Sequence, residues 1–490
     1  MPNVSMKQWE RHNVVTDSAG RIWSRRGFVV ATLATSLVAG SVFVDGFSVR
    51  SPTSTEVFHY AFLQDTATNV VTLAVLAENF TTMFMMSLGQ MPTAPTFFWA
   101  MVNKQLMINS ESMASPLYGL PGGGLVPALK VASENDDTTA LDIPTGIICS
   151  FGDRMPIAQG SVVYFNDPTI DPRTYVAENT LGLTGQIYDM FQASDGGLYM
   201  FTDSGLYIMS SDALGQGQSV VGFVKLVPNV RTLKTRNACP TSFGVVVLTE
   251  RGCQIIGGPE VEFSTYRGRR KITPNIEVDD MRIFGSVWPV DDGVMVGFGT
   301  ACDFSVYVDF ARGGEVTFIH NEDADGDVEP MHLVGVLTDR DGETVYLTPE
   351  TARIALLTGG GEMQSYVAGG VPVRAALCGK LELGPLQTPL VRRVSVSAAS
   401  AGQAIEAACN GAQHTGLTTA TRGDLVADAG ELWGTASWAD LTARSVRLTL
   451  NVRASEPNME VVCEGADRRV VDSVDVQIAG VWPTRKETEV

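Results

Sequence analysis

The chain has 490 residues, 44% of them apolar and 18% charged, which is enough apolar material for several cores and a length suited to about two to four domains. Lys and Arg number 35 against 54 Asp and Glu, a net charge of −19 at pH 7; this argues against a protein that grips nucleic acid over a broad surface, because such grip is mostly cation neutralising phosphate. The 49 glycines lie in strand-rich text and point to tight turns in an all-β chain rather than to collagen or low complexity.

Near the N-terminus, Ser24-Arg25-Arg26-Gly27-Phe28 followed by Val29 through Val44 has the outline of a twin-arginine export signal. The apolar stretch is diluted by Thr32, Thr35, Ser36, Gly40 and Ser41 and falls short of the roughly 20 apolar residues that a membrane span needs. Read instead as strands, it becomes Phe28 to Leu33, a turn near Ala39-Gly40, and Ser41 to Val44. Residues 1–55 are expected to be N-terminal strands that pair with the C-terminal region, since a chain end that completes a distant sheet covers an exposed edge.

From there the chain repeats one unit: an apolar run, a short turn, a second apolar run, then Gly, Ser, Asp or Pro. The clearest copy is Leu198-Tyr-Met-Phe and Leu206-Tyr-Ile-Met around Asp203-Ser-Gly205, a hairpin signature. Related units start near 97, 149, 194, 242, 292 and 341. Their spacing of about 45 to 52 residues suits the four-stranded blade of a propeller. The expected architecture is an all-β, six- or seven-bladed β-propeller over 56–378. From 379 to 490 the pattern changes to strict alternation, as in Arg392-Arg-Val-Ser-Val-Ser and Val446-Arg-Leu-Thr-Leu-Asn-Val-Arg. That marks a sheet with one wet face, and hence an additional small C-terminal β domain.

Chemistry-bearing groups are sparse. Cys149, Cys239, Cys253, Cys302, Cys378, Cys409 and Cys463 show no C-x-x-C pair and fit buried free thiols in a reducing compartment. His12, His59, His320, His332 and His414 are scattered, with no G-x-S-x-G or H-x-x-x-H beside them. Gly122-Gly-Gly124 lies between Pro121 and Leu125-Val-Pro without the Lys and Ser/Thr of a phosphate cradle. Asn321-Glu-Asp-Ala-Asp-Gly-Asp-Val-Glu-Pro-Met-His332 spaces oxygen ligands like a calcium loop, but places His where a bidentate Glu is needed; the competing reading is a solvated acidic turn. No catalytic, cofactor-binding or metal residue is assigned, and no cofactor is expected. Between Lys271 and Glu350 lie 17 acidic residues against four basic ones, either an acidic wall that DNA passes without sticking or ordinary solvated loops. Tyr266-Arg-Gly-Arg-Arg-Lys271 is a short basic run just before it.

The segment Ile147-Ile-Cys-Ser-Phe-Gly-Asp-Arg-Met-Pro-Ile-Ala, continuing through Val162-Val-Tyr-Phe-Asn-Asp-Pro to Asp171-Pro-Arg-Thr-Tyr175, with the hairpin Leu198 to Ser211, resembles the β-propeller tail nozzle or hub (packaged-DNA stabilisation) proteins of short-tailed bacteriophages. The match is specific over about 145–260 and general over the other blades. The resemblance implies a non-enzymatic structural virion protein, made in the host cytoplasm and located in the tail. It further implies a homo-oligomeric ring, usually a hexamer, below portal and adaptor proteins. Such a ring contacts tail fibres, spikes or a plug, and double-stranded DNA passes through an acidic channel without stable membrane insertion. The competing expectations are an exported propeller enzyme such as a glycoside hydrolase, with paired carboxylates in the central funnel and processing near residue 45, and a bacterial interaction scaffold.

Overall fold

The computed structural model describes residues 10–16, 22–24, 29–30, 40–131, 141–167, 171–210, 224–263, 280–290, 293–302, 304–322, 328–329, 332–340, 344–349, 352–355, 375–380, 387–398, 404–409, 412–417, 444–453, 458–464 and 470–483. Most of the chain forms four-stranded antiparallel meanders. Blade 1 comprises Ser41–Arg50, Val57–Asp65, Val70–Leu76 and Thr82–Gln90. The inner strands of blades 2 to 6 are Phe98–Val102, Ile147–Ile148, Ile187–Gln192, Ala238–Thr241 and Ser286–Val290, each followed outward by three further strands. Blade 7 consists of Gly335–Thr338, Thr344–Leu347 and Ala352–Ala355, and takes its outermost strand, Val29–Val30, from the other end of the chain.

Each blade is apolar on both faces because it is a buried sheet between two neighbours. Val294, Met295, Val296, Val306 and Val308 of blade 6, for example, are all fully buried. The cores follow one another around the circle, from blades 1 and 2, which share Phe62, Leu73 and Leu106, through successive neighbours to blades 7 and 1, which share Phe43, Leu63, Leu337 and Val345. The ring is therefore closed, and the protein is a seven-bladed β-propeller with an additional β domain. At the closing seam the inner strands of blades 7 and 1 approach through two glycines. A Cβ on Gly335 would lie 2.7 Å from the Gly46 nitrogen, and one on Gly46 would press on Leu347 Cδ1 at 2.4 Å, so backbone excludes a side chain at Gly335 whereas at Gly46 the Leu347 side chain would have to shift.

The additional domain is a sandwich of two sheets. One orders Val14–Thr16, Ile22–Ser24, Val470–Pro483, Gln387–Ala398 and Arg444–Arg453. The other orders Glu10–His12, Ala375–Lys380, Asn458–Glu464, Ala404–Cys409 and Ala412–Leu417, and it is continuous with blade 6 because Glu10–His12 pairs in parallel with the outer strand Glu315–Ile319. The alternation read in the tail fills the sandwich core. Val446, Leu448 and Leu450 are buried with Val394, Val396, Val461 and Val476, while Arg447 and Thr449 are exposed.

The sheets divide the chain differently from the expected limits at 55/56 and 378/379. The first limit falls between Arg50 and Val57, inside blade 1, and Ala375–Lys380 belongs to the sandwich. The Ser24–Val44 stretch also has a structural place: Val29–Val30 completes blade 7, and Ser41 opens blade 1 after a turn at Gly40. Cleavage near residue 45 would remove that strand together with Glu10–His12, Val14–Thr16 and Ile22–Ser24 of the sandwich.

Candidate functional site

The inner strands surround an axial cavity of about 470 Å³ lined from blades 1 to 6, with apolar walls that include Phe47, Phe98, Trp99, Phe191 and Trp288. Pro240 and Pro289, also on its wall, are exposed, so the cavity communicates with solvent. Its size falls within the range of small-molecule sites.

The end at which the inner strands begin is spanned by Arg236, in the segment that leads into blade 5. Its Nη2 donates to Asp45 Oδ1 (2.6 Å) and Oδ2 (2.7 Å) and to the Phe97 carbonyl (3.1 Å), and the guanidinium carbon lies 5.8 Å from the Phe98 ring centroid. Asp45 also accepts the Gly46 amide (2.8 Å) and the Phe97 amide (2.7 Å). A second carboxylate, Asp189 of blade 4, accepts the amides of Arg236 (2.7 Å), Asn237 (2.9 Å) and Ala238 (3.1 Å). Asn237 in turn holds the turn behind it, accepting from the Leu233 and Lys234 amides and donating to the Gly285 carbonyl. One arginine and two carboxylates thus connect blades 1, 2, 4 and 5. Arg236 adopts φ +63°, a left-handed conformation that a non-glycine residue holds only when its surroundings over-determine it. Here the bonds to Asp45 and Asp189 do so.

Burial dominates the ionisation of both acids. It pushes the Asp45 carboxyl above its ordinary range, against the opposing pull of Arg236 and the amides, and it pushes Asp189 up to about 7 against the same kinds of partner. Desolvation likewise raises the Cys149 and Cys239 thiols on the cavity wall, which keeps both protonated and poor nucleophiles.

The structure brings together groups whose proximity sequence spacing did not suggest. The Ser48 hydroxyl is hydrogen-bonded to His59 Nδ1 at 2.8 Å and accepts the Thr338 amide at 2.8 Å. His59 stacks on Phe80 at 4.5 Å, and burial lowers its pKa to about 4. This pair ties blade 1 to blade 7. His12 and His320 stand 5.9 Å apart by ring centroids where the propeller meets the sandwich, with His12 stacked on Phe318 and the Asn13 side chain accepting the His320 amide. His332 is half-buried, and His414 lies in Ala412–Leu417.

Of the residues that carry the resemblance, the hairpin from Leu198 lies in blade 4, and several of the others meet in blade 3. Asn166 accepts the Met155 amide on its side chain (2.6 Å), and its carbonyl accepts Arg154 (3.0 Å). The Tyr175 hydroxyl donates to the Met155 carbonyl (2.6 Å), and Arg173 pairs with Asp171 while lying 4.8 Å from the Tyr118 ring. Their work is to build the blade. Of the acidic stretch, Asp280 pairs with Arg282, Asp309 with Arg312 and Glu315 with Arg11, so part of its formal charge is internally compensated. Asn321–Glu322 and Val328–Glu329 pair as a short hairpin, while 323–327 and the basic run 266–271 lie outside the described residues.

No protein-family profile and no curated protein matches this chain. Among solved structures it is similar to the extracellular domain of a putative hybrid two-component system from B. thetaiotaomicron (9% identity, TM-score 0.43, covering 96% of this chain and 61% of that one). It is also similar to a streptogramin B lyase (8%, 0.38, 73% and 96%) and to the WD40 β-propeller domain of Doa1 (8%, 0.37, 68% and 98%). At these identities the likeness concerns the fold alone.

Proposed function

We propose that this propeller is a structural subunit of a short-tailed phage tail, assembling with copies of itself into the nozzle or hub ring. The observation that carries the reading lies in blade 3: Arg154, Asn166 and Tyr175, among the residues on which the resemblance rests, meet around Met155 in one network. The axial groups favour a structural part over a catalytic one, since Asp45 and Asp189 are engaged by an arginine and by backbone amides. Because Arg236 spans the axis of the single subunit, a conduit for duplex DNA belongs between subunits and not through one propeller.

A subunit of charge −19 repels its copies and approaches them best through uncharged surface. The outer strand of blade 1, Thr82–Gln90, carries no charge and exposes Met83 and Met85; on this reading a second copy covers it. Electron micrographs of the purified protein at micromolar concentration should show closed rings, and Met83→Lys with Met85→Lys should convert them to single subunits. Particles that remain monomeric in the unsubstituted protein would defeat the assignment. Rings indifferent to the paired lysines would move the contact elsewhere.

A further inference from the structure

The axial cavity has features that the ring reading does not use. Its walls include Phe47, Phe98, Trp99, Phe191 and Trp288, it opens to solvent past Pro240 and Pro289, and the Arg236 side chain in it has donors to spare. Arg236 spends Nη2 on Asp45 and Phe97, while among the described residues nothing accepts from its Nε or Nη1. Its side chain keeps 20% of its exposure. Of the other polar side chains on the wall, Trp288 Nε1 also lacks a partner among the described residues, whereas Ser150 and Gln192 are engaged. Ser150 donates to the Met101 carbonyl and accepts the Met101 amide, and Gln192 reaches Gly152 and Gly196. Since Asp45 already balances the guanidinium charge and Asp189 stands beside it, an anionic ligand gains little attraction there and meets two carboxyl groups. A neutral carbonyl oxygen accepts the same hydrogen bond without that repulsion.

We infer that the axial cavity binds a small, flat, uncharged aromatic molecule bearing a carbonyl acceptor, with its ring system against Phe98, Trp99, Phe191 and Trp288 and its carbonyl oxygen on a free guanidinium donor of Arg236. Flat rings suit these walls because stacked and edge contacts among aromatics add to the gain from burial alone. The guanidinium donors at one end give the ligand a direction.

The probe is 6-propionyl-2-dimethylaminonaphthalene, a neutral aromatic ketone whose emission moves to the blue in an apolar, hydrogen-bonding site. Titration into the intact protein should give a saturable blue-shifted signal with one site per chain. The carboxylate analogue 6-dimethylamino-2-naphthoate should bind at least about tenfold more weakly. Pro289→Trp and, independently, Pro240→Trp place a bulky ring in the cavity mouth at exposed positions, and in each the saturable signal should be lost while the melting temperature is kept. A signal that survives in both folded variants puts the dye elsewhere and overturns the inference, as does the lack of any saturable signal in the unsubstituted protein. Equal or tighter binding of the carboxylate overturns the choice of a neutral acceptor. The ring reading can fail without affecting any of these outcomes.

Discussion

Asp189 and His59 make opposite demands on pH. Burial raises Asp189 from 3.8 to about 7, so the folded chain holds that proton more tightly than the unfolded one. The resulting stability is complete below about pH 4 and disappears as pH rises through 7. His59 is lowered from 6.5 to about 4; its contribution is complete above pH 6.5 and disappears as pH falls through 4. Each effect is on the order of 3–4 kcal/mol at full extent, and between pH 4 and 6.5 they oppose one another. Melting curves across this range should therefore diverge between variants. Relative to the unsubstituted protein, His59→Gln should lose stability as pH rises, and Asp189→Asn should lose it as pH falls. Parallel curves for the two variants would show that neither group titrates as described. At the same scale, Arg236→Met strands the buried Asp45 carboxylate and should cost about 3–5 kcal/mol in denaturant unfolding, most of which Asp45→Asn should restore in the double variant.

Between elements, the closing seam is the sensitive place. Gly335→Ala would push a methyl into the Gly46 backbone, which a flexible neighbour cannot relieve, and should cost about 1–3 kcal/mol in chemical denaturation. An unchanged midpoint would mean that the inner strands of blades 1 and 7 have room to separate. The middle hairpins were legible in sequence because each buried strand is a run of four or five apolar residues cut off by Gly, Asp or Ser, as at Leu198–Thr202 and Leu206–Met209. Blade 1 was not counted as a repeat because its strands are seven to ten residues long, so its hairpins lack the compact outline of the others. The strands Glu10–His12, Val14–Thr16 and Ile22–Ser24 have three residues each, too few to display a period. The axial network was illegible for a different reason: Arg236 is separated from Asp45 by 191 positions and from Asp189 by 47, and only the closed ring brings them together.

For the whole molecule, the first and last described strands, Glu10–His12 and Val470–Pro483, both lie in the sandwich, and one sheet runs without interruption from blade 6 through Glu10–His12 into Asn458–Glu464. Deleting residues 1–39 should therefore damage two units at once, taking the last strand of blade 7 and three strands of the sandwich. Circular dichroism should show loss of cooperative unfolding, whereas a truncated protein that melts as a single sharp transition near the original temperature would contradict the pairing.

The shared sheet also has a mechanical meaning. A load applied to the sandwich passes into blade 6 through the short parallel contact of Arg11 with Thr317 and His12 with Phe318, reinforced by the ion pair between Arg11 and Glu315. Under tension this splice is where the molecule should tear first.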